Sequence, residues 1–115
     1  MNIQGLQPQT VKSSVPFLSD ILHTHNYTFI ALTETWLGNH LEAELNIDGY
    51  KILRKDRDRL KSKYGRLSGG VAIYIKEDLV SNFATILEFS NGVNETLMLY
   101  SQKENLIMCT IQTAK

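Results

Sequence analysis

At 115 residues, with 43% hydrophobic and 21% charged side chains and twelve basic residues against twelve acidic ones, the sequence reads as one ordinary globular domain or part of one. That balance excludes collagen-like, coiled-coil and disordered chains. A single cysteine excludes an internal disulfide framework and a cysteine-rich zinc site. No secretory signal is legible in Met1 to Gln9, and no apolar run approaches membrane-spanning length, so no membrane partner is expected.

The first periodic segment holds Val11, Val15, Leu18, Ile21 and Leu22 at helical spacing, which predicts a helix running to about His25. Ser13 or Ser14 is the expected cap, with Pro16 tolerated in the first turn, where its missing N–H costs no hydrogen bond. Thr28 to Thr33 is short, continuously apolar and rich in β-branched and aromatic residues, as in a central strand buried on both faces. A helix followed by a buried strand predicts an α/β unit.

After Gly49 the pattern changes to extended segments: Tyr50 to Leu53, Val71 to Ile75, Phe83 to Phe89, Thr96 to Tyr100 and Leu106 to Ile111. Turn residues at Asn91-Gly92 and Lys103-Glu104-Asn105 make antiparallel meander connections the expectation. In Val71 to Ile75 the odd positions are all β-branched, as for a strand with one face packed on a core. Cys109 lies in the apolar run Leu106 to Cys109 and is expected to be a buried, inert thiol.

The zero net charge conceals a segregation. Between Lys51 and Arg66 there are eight basic residues against two acidic ones, which leaves the rest of the chain net acidic. Such a segment can contact a polyanion locally, with Arg57, Lys61, Lys63 and Arg66 on backbone phosphate and Tyr64 offering a ring to an unpaired base. A solvated connector between two strands explains the same residues.

Glu34 follows directly on the apolar strand, which puts a carboxylate at its C-terminal end, where open α/β sheets usually bind ligands. A hard oxygen ligand there can hold Mg²⁺, which neutralises negative charge building on a phosphodiester. A surface glutamate pairing with a lysine is the plainer reading of that residue alone.

Asn2-Ile3-Gln4-Gly5-Leu6, Phe29 to Leu37, Gly49-Tyr50, Asp56-Arg57 and Gly69 to Lys76 occur in that order. This succession resembles the N-terminal half of the endonuclease/exonuclease/phosphatase family, in particular the endonuclease domains that precede reverse transcriptase in non-LTR (LINE-type) retrotransposons. The most specific strings are Thr33-Glu34-Thr35-Trp36-Leu37 and the double glycine leading into a strand. The resemblance implies part of a four-layer α/β sandwich of the DNase I-like kind, mostly antiparallel with one main helix, and Mg²⁺-dependent nicking of DNA. Glu34 resembles the family's metal-binding glutamate, and Asn2 the asparagine at the floor of its active site. Together they are the candidate catalytic residues. An intracellular location, the nucleus included, is the matching expectation.

The departures are equally informative. Only Met1 precedes Asn2, so the strand the family places upstream is missing, and Gln112-Thr113-Ala114 stands where the family has a tyrosine and prolines. The later Gly-Asp-Phe-Asn-like and Ser-Asp-His-like segments have no counterpart, and His23, His25 and His40 do not replace the missing histidine. The chain therefore reads as a domain truncated at both ends, whose partner is the missing C-terminal half in a parent protein. It is expected to be inactive in isolation. A non-catalytic remnant that binds nucleic acid or protein through residues 51–66 is the alternative. The isolated chain is further expected to supply mainly one sheet, leaving that sheet's inner face bare and the protein oligomeric, aggregation-prone or dependent on a partner.

Overall fold

A computed structural model describes residues 8–33, 35, 45–57, 69–91 and 94–113. These residues form a helix α1 (Pro8–His25), three strands β1 (Phe29–Thr33), β2 (Tyr50–Lys55) and β3 (Val71–Lys76), and then β4 (Ala84–Ser90), β5 (Asn94–Ser101) and β6 (Leu106–Thr113). The strands make two antiparallel sheets, ordered β1-β3-β2 and β4-β5-β6. The result is an α/β fold of three layers: helix, first sheet, second sheet.

The helix begins earlier than its spacing predicts. Pro8 occupies the first turn, where a proline is best tolerated, and Pro16 lies inside the helix, not at its start. Pro16 is on the exposed side, so the backbone bond it forfeits opens toward water. The C-terminus falls as expected. Asn26 adopts φ +52°, the Asn26 N–H donates to the His23 carbonyl and the Tyr27 N–H donates to that of Leu22, the paired bonds of a Schellman cap.

Val15, Leu18 and Leu22 form the buried stripe of α1 and pack with Leu32, Tyr50, Ala72 and Tyr74 on the outer face of the first sheet. Val71, Ile73 and Ile75 point the other way and meet Leu97, Leu99 and Met108 of the second sheet. β3 is thus packed on both faces, one more than its β-branched alternation suggests. It is also the centre of its sheet, whereas β1, expected to be central, is an edge among the described strands.

The meander holds for β4, β5 and β6, but β2 and β3 belong to the other sheet. Between them the chain crosses over at the turn Val80–Asn82. That crossing overturns the expectation of a single sheet with a bare inner face, because one chain supplies both inner faces and they cover each other. Exposed apolar side chains gather on the outer side of the second sheet, where Phe89, Tyr100, Ile107 and Ile111 are open to solvent, with Phe17, Tyr27 and Phe29 exposed elsewhere. Cys109 shares that side and is exposed, contrary to the buried thiol expected. In β6 the inward positions are Met108 and Thr110, so strand alternation turns Cys109 outward.

Tyr74 is fully buried and its hydroxyl donates to the Leu45 carbonyl at 2.7 Å. Burial pushes the phenol up to about 12, with Arg54 offsetting a little of that rise. The unfolded phenol ionises near 10, so the unfolded chain loses its proton first and stability falls as pH climbs from about 10 to 12. Tyr74→Phe should flatten this alkaline loss, while costing about 1–2 kcal/mol at neutral pH by leaving the Leu45 carbonyl without its donor. Urea titrations at pH 8 and pH 11 check both effects. An unchanged alkaline slope in the variant would assign the loss to other groups.

Candidate functional site

Of the residues in the strings that the sequence singles out, Thr33, Thr35, Arg57, Gly69 and Gly70 meet at one end of the sandwich, where β1 and β2 finish and β3 and β5 begin. β1 ends at Thr33, paired with Val71, and β2 ends at Lys55, also paired with Val71. Gly69 and Gly70 lead into β3 with φ values of +82° and +90°, a conformation that favours glycine. Space demands glycine as well. A Cβ on Gly69 would collide with the Arg57 guanidinium, and one on Gly70 would lie 2.6 Å from Thr35 Oγ1.

Glu95, near the start of β5, faces inward in step with Leu97 and Leu99 and is fully buried. A bare carboxylate there would be prohibitively costly, and three donors satisfy it. The Gly70 N–H donates to Oε1 at 2.6 Å, and Arg57 forks onto both oxygens, Nε to Oε2 at 3.0 Å and Nη2 to Oε1 at 3.3 Å. Arg57 leaves β2 and Glu95 begins β5, so this pair ties the two sheets together at the candidate end. The weaker Lys55–Glu88 pair, 3.6 Å apart and more exposed, bridges β2 and β4 nearby. On the opposite edge the Thr110 hydroxyl donates to the Leu32 carbonyl at 3.3 Å.

Of the residues expected to carry function, Arg57 is therefore engaged with Glu95 and its side chain is only 10% exposed. Asn2, Glu34, Lys61, Lys63 and Arg66 lie outside the described residues. The neighbours of Glu34 do not: Thr33 closes β1, and Thr35 is fully buried with its N–H donating to the Gly70 carbonyl at 3.4 Å. Among the described residues the buried Thr35 hydroxyl has no hydrogen-bond partner. Sequence reading missed both Glu95 and Thr35. Glu95 had a visible signal, since it continues the inward alternation of Leu97 and Leu99 and a carboxylate in that position demands a cation.

Among the described residues no three histidine, cysteine, aspartate or glutamate side chains converge as metal ligands. Glu95 already has an arginine and a backbone N–H as partners, so the described donors by themselves do not fit Mg²⁺. No described helix is long and apolar enough to cross a membrane.

No family model and no curated protein matches the chain in sequence. Solved structures do match it in fold. AP endonuclease from Leishmania major superposes with a TM-score of 0.65 at 17% identity, over 97% of this chain and 38% of that one. Humanized D. rerio TDP2 gives 0.59 at 12% identity, over 100% and 46%. An endonuclease/exonuclease/phosphatase family protein from Bacteroides thetaiotaomicron gives 0.55 at 12% identity, over 96% and 45%. The chain thus has the DNase I-like α/β fold of endonuclease/exonuclease/phosphatase proteins, and it spans less than half the length of each of these structures.

Proposed function

We propose that this chain carries the Glu34 portion of a metal-dependent DNA endonuclease site of the retrotransposon type, the remainder of which belongs to a longer parent protein. The observation that supports the reading is the sandwich end just described. The residues flanking Glu34 meet the double glycine at the end of β1, in a fold shared with an AP endonuclease. Hydrolysis of a phosphodiester requires an activated water, a base and stabilisation of the developing negative charge, supplied by several residues acting as one unit. In this reading Glu34 contributes a hard oxygen ligand, and bound Mg²⁺ supplies charge neutralisation. Asn2 orients a phosphate or a carboxylate through its amide. The basic residues Lys61, Lys63 and Arg66 hold backbone phosphate, which makes DNA the partner.

Plasmid nicking tests the assignment. The 115-residue chain should not nick supercoiled DNA in Mg²⁺, whereas a protein extended by its flanking coding sequence should. In the extended protein Glu34→Gln should reduce nicking by at least a thousandfold while leaving the fold intact, since the change removes charge and keeps shape. Undiminished nicking by that variant would exclude the metal role. An extended protein that binds DNA but never cuts it would favour the non-catalytic alternative.

A further inference from the structure

The bond that holds the residue after Glu34 does not belong to the β1–β3 ladder. Continuing that register beyond the Thr33–Val71 pair sets Thr35 opposite Gly69, yet the Thr35 N–H donates to the carbonyl of Gly70, one residue away, at 3.4 Å. The end of β1 therefore depends on how the Gly70 backbone is turned. Packing makes the same link, since Thr35 Oγ1 sits 2.6 Å from where a Cβ on Gly70 would lie.

Gly70 is bonded in turn to the second sheet. At φ +90° it leaves the strand conformation, and its N–H donates across the sandwich to Glu95 Oε1 at 2.6 Å. A backbone N–H given to a carboxylate makes a bond about twice as strong as a neutral one. Arg57 orients that carboxylate by forking onto both oxygens, and the bare Cα of Gly69 leaves room for the guanidinium. A fastener between the two sheets accounts for Arg57 and Glu95. It does not account for the bond to Gly70 or for the off-register bond beyond it.

We propose that Glu95 is a positioning residue for the nuclease site: its carboxylate, oriented by Arg57, fixes the Gly70 peptide and through it the backbone at Thr35, beside Glu34. This rests on the reading of Glu34 given above. Glu95 acts on the reaction only through the end of β1. Such an action is large enough to measure, because reacting groups must be held to within about 0.5 Å and a misplacement of about 1 Å, caused from a distance, costs about a hundredfold in rate.

Two variants separate positioning from fastening. Arg57→Leu leaves Glu95 as the acceptor for Gly70, whereas Arg57→Leu with Glu95→Leu removes both that acceptor and the orphaned buried charge, so the double variant is the more stable of the two. A fastener makes activity follow stability; positioning reverses the order. In the protein extended by its flanking coding sequence, at a temperature where both variants are folded, kcat for nicking should be about tenfold or more lower in the double variant than in Arg57→Leu, with the same KM for DNA. In the 115-residue chain, hydrogen exchange of the Thr35 amide, read by NMR, should be about tenfold or more faster in the double variant despite its greater stability. Should either variant fail to fold, the wild-type chain still decides: its Thr35 amide should be protected like those of β3, and exchange at the rate of an exposed amide would overturn the proposal. Thr35 exchange no faster in the double variant would overturn it alone, even if the extended protein nicks DNA, and so would equal kcat values. An extended wild-type protein that does not nick would instead overturn the reading of the site, and this role for Glu95 with it.

Discussion

Arg57→Leu should cost about 3–5 kcal/mol of stability, the range found when one partner of a buried ion pair is removed. The reason lies in what remains. Glu95 stays fully buried at the joint between the sheets, with the Gly70 N–H as its donor, among the described residues, besides the arginine. For a domain of this size the loss lowers the melting temperature by on the order of 15 °C. It also takes a large share of a total stability of about 5–15 kcal/mol.

The companion variant separates the pair's net worth from the penalty of orphaning a charge. Arg57→Leu combined with Glu95→Leu removes both charges, so most of the loss should be recovered. Recovery should stop about 1–2 kcal/mol short, because the Gly70 N–H then has no acceptor. Salt should change either result little, since a pair this deeply buried is weakly screened, while the exposed Lys55–Glu88 bridge should weaken as salt rises. Denaturant melts of wild type, single and double variants make the measurement. A double variant no more stable than Arg57→Leu alone would show that the arginine acts by packing and not by charge.

The sequence makes much of this architecture readable where one face of an element is apolar and the other polar. Val15, Leu18 and Leu22 mark the buried stripe of α1, and the turn residues around Asn91 and Asn105 mark the ends of β5. Legibility fails where both faces are apolar. In β6 the run Leu106-Ile107-Met108-Cys109 offers no polar alternation, so nothing in it distinguishes Met108, 3% exposed, from Ile107, 58% exposed. The same uniformity in Val71 to Ile75 hides the fact that β3 meets the helix on one side and the second sheet on the other.

The candidate site divides along similar lines. Its glycines are visible because their local geometry is encoded locally, through a positive φ that only glycine adopts comfortably. The pairing of Arg57 with Glu95 is not visible, since 38 residues separate them and only the crossover between sheets brings them together. A cation in a basic segment reads as a ligand for phosphate until the fold supplies a carboxylate. The burial of Thr35 is likewise a consequence of Gly70 packing against it, which no reading of Thr33 to Leu37 alone contains.

Gly70→Ala should cost about 3 kcal/mol. Two costs combine. The backbone sits at φ +90°, beyond the left-handed region that other residues visit, and forcing a Cβ into such a conformation costs about 1–2 kcal/mol. The new methyl would also lie 2.6 Å from Thr35 Oγ1, inside a packed layer, and relieving that overlap costs a further 1–3 kcal/mol. Thr35→Gly removes the obstructing side chain and so separates the terms: in the double variant the steric part should vanish while the backbone strain remains. The same comparison bears on function, because Thr35 is the residue after Glu34 and its N–H is bonded to the Gly70 carbonyl. A methyl that pushes Thr35 away from Gly70 therefore pulls on the segment carrying the proposed metal ligand. In the extended protein, Gly70→Ala should accordingly lower nicking at temperatures where the fold is still intact, and Thr35→Gly should restore part of it. Full activity in Gly70→Ala, with its stability reduced as expected, would show that the end of β1 is held in place by contacts other than this one.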